Sequence, residues 1–475
     1  MIPLTLAEIA AAAGGTVHGD PDLTVTGPAF VDSRLAEPGG LFVAVPGEHV
    51  DGHDYAQDAI AAGAAAVLGS RPLDVPMVVV PDLVEGLGRV AGHVVRRLAG
   101  TRVIALTGSQ GKTGTKDLVA QLLARTGPTV ATEGSFNNEI GLPLTVLRAD
   151  DGTENLVLEM GARGIGHIGL LCRIAPPRIA VVLNVGKAHL GEFGSQEAIA
   201  RAKGEIVEAL PEDGMALLNV DDPLVAAMAD RTRAVVRTFG ESPTADVRLS
   251  ALSLDDLGRP SFTLSAGDET AHVALPLVGE HQAQNAVAAA AVALACGMRL
   301  TDVAAGLAEV RPASRWRMEV HERADGVTVI NDAYNANPDS MRAALKALAA
   351  IGRSRGGRTV AVLGEMRELG ASSLEEHDAV GRLAVRLDIA RLLVVGEPAR
   401  PMHLGASLEG SWGEESVFVP DQTAALAWLH GNLVPGDVVL FKASRAAALE
   451  KLAQAVLEAA PGAEADPRTE REGGR

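Results

Sequence analysis

Cysteine is almost missing from this 475-residue chain: Cys172 and Cys296 are the two, both in apolar surroundings and without metal-ligand spacing. They are expected to be buried packing thiols in a reducing compartment. Long apolar runs are missing too. Residues 1–15 have no basic start, and no uninterrupted apolar span reaches membrane length, so a cytoplasmic protein without membrane insertion is expected. Positive charge is the third scarcity: 42 Lys and Arg against 60 Asp and Glu give a net charge of −18. This argues against nonspecific binding to nucleic acid or anionic membranes, which draws on clustered cations, although local basic loops on an acidic protein still permit an anionic substrate.

What is present is enough apolar sequence, 47% of residues, for several cores, and three domains are expected. The most informative stretch is Ile104-Ala-Leu-Thr-Gly-Ser-Gln-Gly-Lys-Thr-Gly-Thr-Lys116. Val103 to Leu106 have the character of a buried parallel strand, and Leu118, Val119, Leu122 and Leu123 recur at helical spacing. Between them Gly108 and Gly111 would let backbone N–H groups turn around phosphate oxygens at a helix N-terminus. Lys112 would supply a point charge and Thr113 a hydroxyl for Mg²⁺. Leu106 stands where the general phosphate-loop pattern has its first glycine, so the loop is a shortened variant. The alternative is a glycine-rich strand-to-helix turn with a solvated lysine.

Residues 1–98 alternate short helices and strands, with a helix over 6–13, strands over 41–45 and 77–80, and an alanine-rich helix over 55–65. A small α/β domain is expected. Its Asp32-Ser33-Arg34 cluster and the loop over 46–53 could hold a charged ligand or could simply make turns. Residues 99–320 alternate as an open parallel sheet would. One apolar strand there stops at Glu159 and another, over 178–185, is followed closely by His189. Ligands of such sheets sit beyond the carboxyl ends of strands, which puts Lys112, Thr113, Glu159 and His189 on one edge and suggests Mg²⁺ ligation. Taken alone, His189 is better explained as a hydrogen-bonded loop residue.

In the helix predicted over 195–210, Ile199, Ile206 and Leu210 form an apolar stripe opposite Arg201, Glu205 and Glu208, and Lys203 falls inside it. A lysine there is costly unless paired or modified, or unless its stem snorkels to the rim. Further strands are predicted over 216–219, 234–239 and 247–264, with a turn at Asp221-Asp-Pro223. His281 and Asn285 then lie one helical turn apart, and Arg315 and Arg317 could reach phosphate. Residues 321–460 open on a strand over 327–330 and alternate again as a Rossmann-like domain, without the Gly-x-Gly-x-x-Gly fingerprint that would indicate NAD. The charged stretch 461–475 is expected to be a disordered tail.

Five stretches of the central section, Thr107-Gly-Ser-Gln-Gly-Lys-Thr113, Asn137-Asn-Glu-Ile-Gly-Leu-Pro143, Leu158-Glu-Met-Gly161, Ala188-His-Leu190 and Ala202-Lys-Gly-Glu205, together resemble the Mur ligases, the family that builds the peptidoglycan stem peptide. The likeness covers nearly the whole chain. Asn331-Asp-Ala-Tyr-Asn-Ala-Asn-Pro338 with Ser340-Met341 is similar to the third domain of members that add a dipeptide, and the Asp-Asn-Pro-Arg motif of the sibling that adds the third amino acid is missing. The resemblance implies an α/β protein of three domains: a small N-terminal one for a UDP-sugar, a central phosphate-loop ATPase domain with a parallel sheet, and a Rossmann-like C-terminal one for the incoming amine. The implied reaction is ATP-dependent amide ligation between UDP-N-acetylmuramoyl-tripeptide and D-alanyl-D-alanine, with ATP and Mg²⁺ as cofactors, in a monomer.

By the same carry-over, Gly108, Ser109, Gly111, Lys112 and Thr113 bind phosphate, and Thr113 and Glu159 serve a first Mg²⁺. His189 joins a second, and Lys203 is the family's carbamylated lysine; Lys112, Lys203 and His189 are the catalytic set. Asn285, Arg317 and Asp332 hold ATP through base, phosphate and ribose. Asp32, Ser33 and Arg34 lie near the uridine nucleotide, and Asn137, Asn138, Asn335 and Asn337 belong to the substrate sites. The sequence departs from the family pattern at Gly114, where Thr or Ser is commoner, at Gln282, which replaces Asn, and in Phe441-Lys-Ala-Ser-Arg445. Rival readings are another stem-peptide step, folylpolyglutamate synthesis, or a phosphate-loop switch or motor. The ligase chemistry itself suits the residues: a carboxylate becomes reactive to an amine as an acyl phosphate, which needs no Ser, Cys or His nucleophile.

Overall fold

The computed structural model describes residues 1–47, 50–186, 193–410 and 415–458; His189 and the tail over 461–475 lie outside the described residues. Among the described residues the strands form a two-stranded ribbon and sheets of five, nine and six strands, taken up in chain order.

The first helix, Leu6–Ala13, starts in a capping box between Thr5 and Glu8 and buries Leu6, Ile9, Ala10 and Ala13, one face of a 3.6-residue period. It packs beside helix Leu83–Arg97, whose Leu83, Leu87, Val90 and Val94 repeat the pattern. The five-stranded sheet behind them runs Thr16–His18, Met77–Val79, Ala66–Gly69, Leu41–Val43, Ala29–Phe30, parallel except for its first strand.

In the nine-stranded sheet the loop strand Arg102–Thr107 lies between Asn155–Glu159 and Ile179–Val182, parallel to both, with Glu159 opposite Leu106 and Val182 opposite Thr107. This register brings three strand ends to one edge. Thr129–Ala131 flanks Asn155–Glu159, and on the other side follow Met215–Asn219, Val235–Gly240 and Val247–Leu254, all parallel. The parallel expectation then needs amending. Residues 247–274 form an antiparallel meander of Val247–Leu254, Pro260–Ala266 and Glu269–Ala274, because connections too short to hold a crossover helix can only reverse the chain.

The third sheet has five parallel strands, Thr328–Asn331, Val438–Lys442, Thr359–Leu363, Arg391–Val395 and Ser416–Val419, with apolar clusters on both faces as in doubly wound folds. Strand Glu319–Glu322 adds antiparallel to its edge, so this sheet begins at Glu319.

The junctions between the three parts differ. At the first, a single apolar cluster runs from Leu4, Ile9 and Leu87 through Val103, Leu142, Leu158 and Ile168 to Ile206, so the N-terminal and central parts share one core. Cys172 is buried in it, its thiol in contact with the Met160 sulfur at 3.6 Å and pushed up to about 12 chiefly by burial. At the second, Val278 is the central-domain member of the third part's cluster, and polar contacts join it, including Ser354 Oγ donating to Asp256 at 2.8 Å.

Candidate active site

The phosphate loop closes on the helix Lys112–Leu123, with Gly111 at its N-cap in the left-handed region (φ 80°). Lys112 Nζ donates to the Gly108 carbonyl at 2.8 Å, which folds the ammonium back over the loop. Burial lowers its pKa, opposed by Glu159 and reinforced by the Arg317 charge. The backbone N–H groups of Ser109 and Gln110 both donate to Asn184 Oδ1, at 2.9 and 3.0 Å. Ser109 Oγ accepts from Gly186 N at 2.9 Å, so its side chain braces the neighbouring loop instead of facing the cradle.

Glu159 is a buried carboxylate of the cleft with both oxygens held. It is 1% exposed; Thr113 Oγ1 donates to one oxygen at 2.8 Å and Asn137 Nδ2 to the other at 2.7 Å. Both contacts follow from the register that puts Glu159 beside the loop. Lys203 comes from the helix Gln196–Glu208, whose Ile199, Ile206 and Val207 root it in the shared core. Its side chain reaches the same cleft and is 4% exposed; burial, then the Lys112 charge, hold its pKa well below the usual lysine range. Two buried amines with lowered pKa values beside a carboxylate are expected where an anion of high charge is to be bound. Glu205 was expected on the solvated stripe, yet it accepts from Gly169 N at 2.8 Å at the start of helix His167–Ile174.

Residue 114 explains itself. A Cβ there would stand 2.8 Å from Asn285 Nδ2 and 3.5 Å from Gln282 Oε1, and Asn285 Nδ2 donates to that Gln282 oxygen at 2.9 Å. The two departures from the family pattern are therefore one: the longer Gln282 fills space that a glycine at 114 leaves open. Asn285 itself is buried against the loop, Oδ1 accepting from Thr115 at 3.3 Å.

The far wall of the cleft comes from the third domain. Arg317 Cζ lies 4.3 Å above the Tyr334 ring, and its buried Nε has no hydrogen-bond partner. Its neighbours Trp316 and Met318 both have left-handed backbones (φ 59° and 51°), which turn the chain twice to aim Arg317 inward. Arg315 is exposed and does not line the cleft. Tyr334 hydroxyl meets Ser135 Oγ across the second junction. Asp332 accepts from Met318 N at 3.1 Å and from Lys442 Nζ at 2.6 Å, and Lys442 also donates to the Asn335 carbonyl at 2.9 Å. His281 faces this pair from the central domain; burial lowers its pKa, with Asp332 opposing and Lys442 adding. The result is a cleft of about 890 Å³ lined by both domains.

Of the sequence-predicted residues, the structure brings together Gly111, Lys112, Thr113, Asn137, Glu159, Lys203, Asn285, Arg317, Asp332 and Asn335. Asn138 and Asn337 also line it, but their Oδ1 atoms are used locally, Asn138 accepting from Gly141 N at 2.9 Å and Asn337 capping its helix by accepting from Ser340 N at 2.8 Å. Asp32, Ser33 and Arg34 stand apart from the cleft: Arg34 is an exposed partner of Asp32 at 2.6 Å. The loop after them is latched by buried His53, which takes Ser70 N at 2.9 Å on Nε2 and donates to Asp51 at 2.6 Å. Asn184, Asp222 and Lys442 were missed. Asp222, part of a stretch expected to be a mere turn, accepts from Val185 N at 2.7 Å beside the cleft. The signal for Asn184 and Asp222 was their position at strand ends.

A metal ion fits part of this arrangement. Thr113 and Glu159 present hard oxygen donors in mutual contact at the loop mouth, although among the described residues no three His, Cys, Asp or Glu side chains group around one point. Phosphate oxygens, water and a modified Lys203 could complete such a shell.

Comparison with known proteins agrees with this architecture. The Mur ligase family, catalytic domain, matches residues 30–97, the Mur ligase middle domain 106–293, and the Mur ligase glutamate ligase domain 316–445. The UDP-N-acetylmuramoyl-tripeptide–D-alanyl-D-alanine ligase of Mycobacterium tuberculosis is 50% identical, over 96% of this chain and 98% of its own. That of Escherichia coli is 37% identical over 96% and 99%. Among solved structures, MurF from Acinetobacter baumannii superposes with a TM-score of 0.85 at 33% identity, covering 96% and 99% of the two chains. MurF from Thermotoga maritima in complex with ADP gives 0.76 at 32%, covering 91% and 97%. With relatives this similar along nearly its whole length, and with a phosphate loop, carboxylate and buried lysine facing a second nucleotide-fold domain, the chain belongs to the Mur ligase family.

Proposed function

We propose that the chain joins D-alanyl-D-alanine to UDP-N-acetylmuramoyl-tripeptide in an ATP-consuming amide ligation. The observation that carries this reading is the single cleft in which Lys112, Glu159 and Lys203 of the central domain face Arg317, Asp332 and Asn335 of the third. Such a cleft can hold a nucleotide, a carboxylate and an amine together, and the fully covering relatives carry this activity in their names.

The reaction has two steps. A tripeptide carboxylate oxygen attacks the γ-phosphorus of ATP; the new P–O bond replaces the bond to the β-phosphate oxygen, and ADP departs. The dipeptide amine then attacks the acyl carbon, phosphate leaves with the acyl C–O electron pair, and the nitrogen loses a proton. Loop N–H groups, Lys112 and Arg317 bind and orient the phosphates, where fixed donors are worth most against charge that spreads during transfer. Asn285 would meet the base and Asp332 the ribose. Asn137 fixes the Glu159 carboxylate, which would hold Mg²⁺ with Thr113, a carbamate on Lys203 and His189. When bound, the ion neutralises charge on the transferring phosphoryl group. The neutral amine expected at Lys203 is the form that reacts with CO₂ to give that carbamate, and it removes a cation that would otherwise repel the metal.

Phosphate release tests the reading with ATP, Mg²⁺ and UDP-muramoyl-tripeptide, with and without D-alanyl-D-alanine. Release is expected only with both substrates. Equal release with a single amino acid, or with folate plus glutamate, would move the assignment to another ligase of this fold, and release with neither substrate would indicate a nucleotide switch.

A further inference from the structure

The helix behind the phosphate loop, Lys112–Leu123, carries a second lysine that the reaction above does not use. Lys116, one turn after Lys112, is 3% exposed; its Nζ donates to the Thr132 carbonyl at 2.7 Å and pairs with the carboxylate of neighbouring Asp117. A buried ammonium held by one carbonyl and one carboxylate is expensive, and replacing such a group by an apolar one of similar volume is often neutral or stabilising. Packing alone therefore does not account for the residue, and its use lies in what it holds.

Thr132 directly follows strand Thr129–Ala131 and is itself buried. Its hydroxyl accepts from Glu159 N at 3.1 Å, and its N–H donates to the Val157 carbonyl at 3.0 Å. The chain then turns through Gly134 (φ 51°) and delivers two side chains to the cleft. Ser135 meets the Tyr334 hydroxyl of the third domain, and Asn137 donates to the Glu159 carboxylate at 2.7 Å while its carbonyl accepts from Gly161 N at 2.8 Å. Glu159 is thus held twice from one strand end, at its backbone by Thr132 and at its carboxylate by Asn137. Thr113, the other oxygen donor of the metal site, stands on the same helix as Lys116 and three residues before it, which puts the two side chains on neighbouring positions of one helix face. Two ties therefore join this helix to these strands: Thr113 to Glu159 at 2.8 Å, and Lys116 to Thr132. We propose that Lys116 is a positioning residue for the metal site, fixing the helix against the end of the strand so that the Thr113 and Glu159 oxygens face one cation. This rests on the ligase reading above, from which the cation comes.

The test is Mn²⁺ binding to the full chain with ADP, followed by electron paramagnetic resonance, in Lys116→Met, which has no donor, and Lys116→Gln, whose donor is too short. Both are expected to weaken Mn²⁺ about tenfold, the low end for residues that orient metal ligands, with affinity for ADP in EDTA unchanged because the loop N–H groups and Lys112 are untouched. In the metal-free protein, amide exchange over 133–138 should quicken in both variants while exchange over 104–111 stays as it is. Asn137→Ala should weaken Mn²⁺ as well, and Lys116→Met added to it should cost less than it does alone, because both act on one carboxylate. If neither lysine variant folds, Thr132→Val carries the same tenfold expectation with the lysine in place. Unchanged Mn²⁺ affinity in a folded variant, unchanged exchange over 133–138, additive effects, or a parallel loss of ADP affinity would overturn the proposal. None of these measurements contains tripeptide or dipeptide, so such a result leaves the phosphate-release test of the ligase reading standing. Absence of Mn²⁺ binding from the unaltered protein would overturn the metal site, and the role of Lys116 with it.

Discussion

The two junctions of this molecule are built from opposite materials. Between the N-terminal and central domains, helix Leu83–Arg97 lies on helices Gly141–Val146 and His167–Ile174 in one continuous apolar cluster. Between the central and C-terminal domains Val278 is the apolar contribution from the central side, and the contacts include Tyr334 to Ser135, Ser354 to Asp256, and a linker held by Arg317 over Tyr334 and by Arg445, 4.4 Å over Trp316. An apolar joint loses its stabilisation as it opens, because water gains access to buried surface. A polar joint can exchange its partners for water or ligand at little net change. Closure on a substrate is therefore expected at the second junction, with the first acting as a fixed mount.

The largest expected effect comes from damaging the fixed mount. Leu87→Ala should cost about 2–5 kcal/mol in urea unfolding while leaving KM for ATP unchanged. If KM moved in step with stability, the first junction would also be a working hinge. Lys203 is rooted in the first region and acts in the second. Lys203→Ala should lower kcat by about 10²–10³-fold, partly restored by short carboxylates, and Lys203→Arg should not rescue because it keeps the charge and forms no carbamate. A fully active arginine variant would make Lys203 an ordinary snorkelling residue.

A smaller effect is pH-dependent. With its folded pKa lowered, Lys203 is deprotonated in the folded chain and protonated in the unfolded one at pH values between the two. The unfolded state then binds more protons, and stability rises with pH up to the unfolded value near 10.5. In CO₂-free buffer the slope should be about 1.4 kcal/mol per pH unit within that window, and Lys203→Met should lack it. An identical slope in the two proteins would show that Lys203 titrates normally. The smallest change is Tyr334→Phe, which removes the cross-junction hydroxyl and keeps the ring beneath Arg317. It should alter stability by about 1 kcal/mol or less. Small-angle scattering should still show the radius of gyration falling when ATP analogue and UDP-tripeptide bind, as it should in the unaltered protein; equal radii at saturation would count against closure.

What could be read in the sequence was whatever is encoded locally. Glu159 was found because a strand ended on it, and Lys203 because it broke a helical stripe. The third domain's layers were legible from alternating periods. What was hidden depends on residues far apart in the chain. Asn184 reaches the loop only because two parallel strands end level, and Lys442 meets Asp332 across adjacent strands. Gly114 looked like a defect until Asn285 and Gln282, some 170 positions later, were seen beside it. The antiparallel meander was missed for a simpler reason, since strand periodicity carries no direction.

Cys172 gives the apolar joint its own clock. A thiol titrating near 12, in contact with a sulfur inside the shared core, is neither accessible nor ionised while the joint is intact. Its alkylation must wait for the helix His167–Ile174 to separate from its neighbours. The labelling rate of this one native side chain therefore measures how often the mount comes undone, without any probe being engineered into the protein.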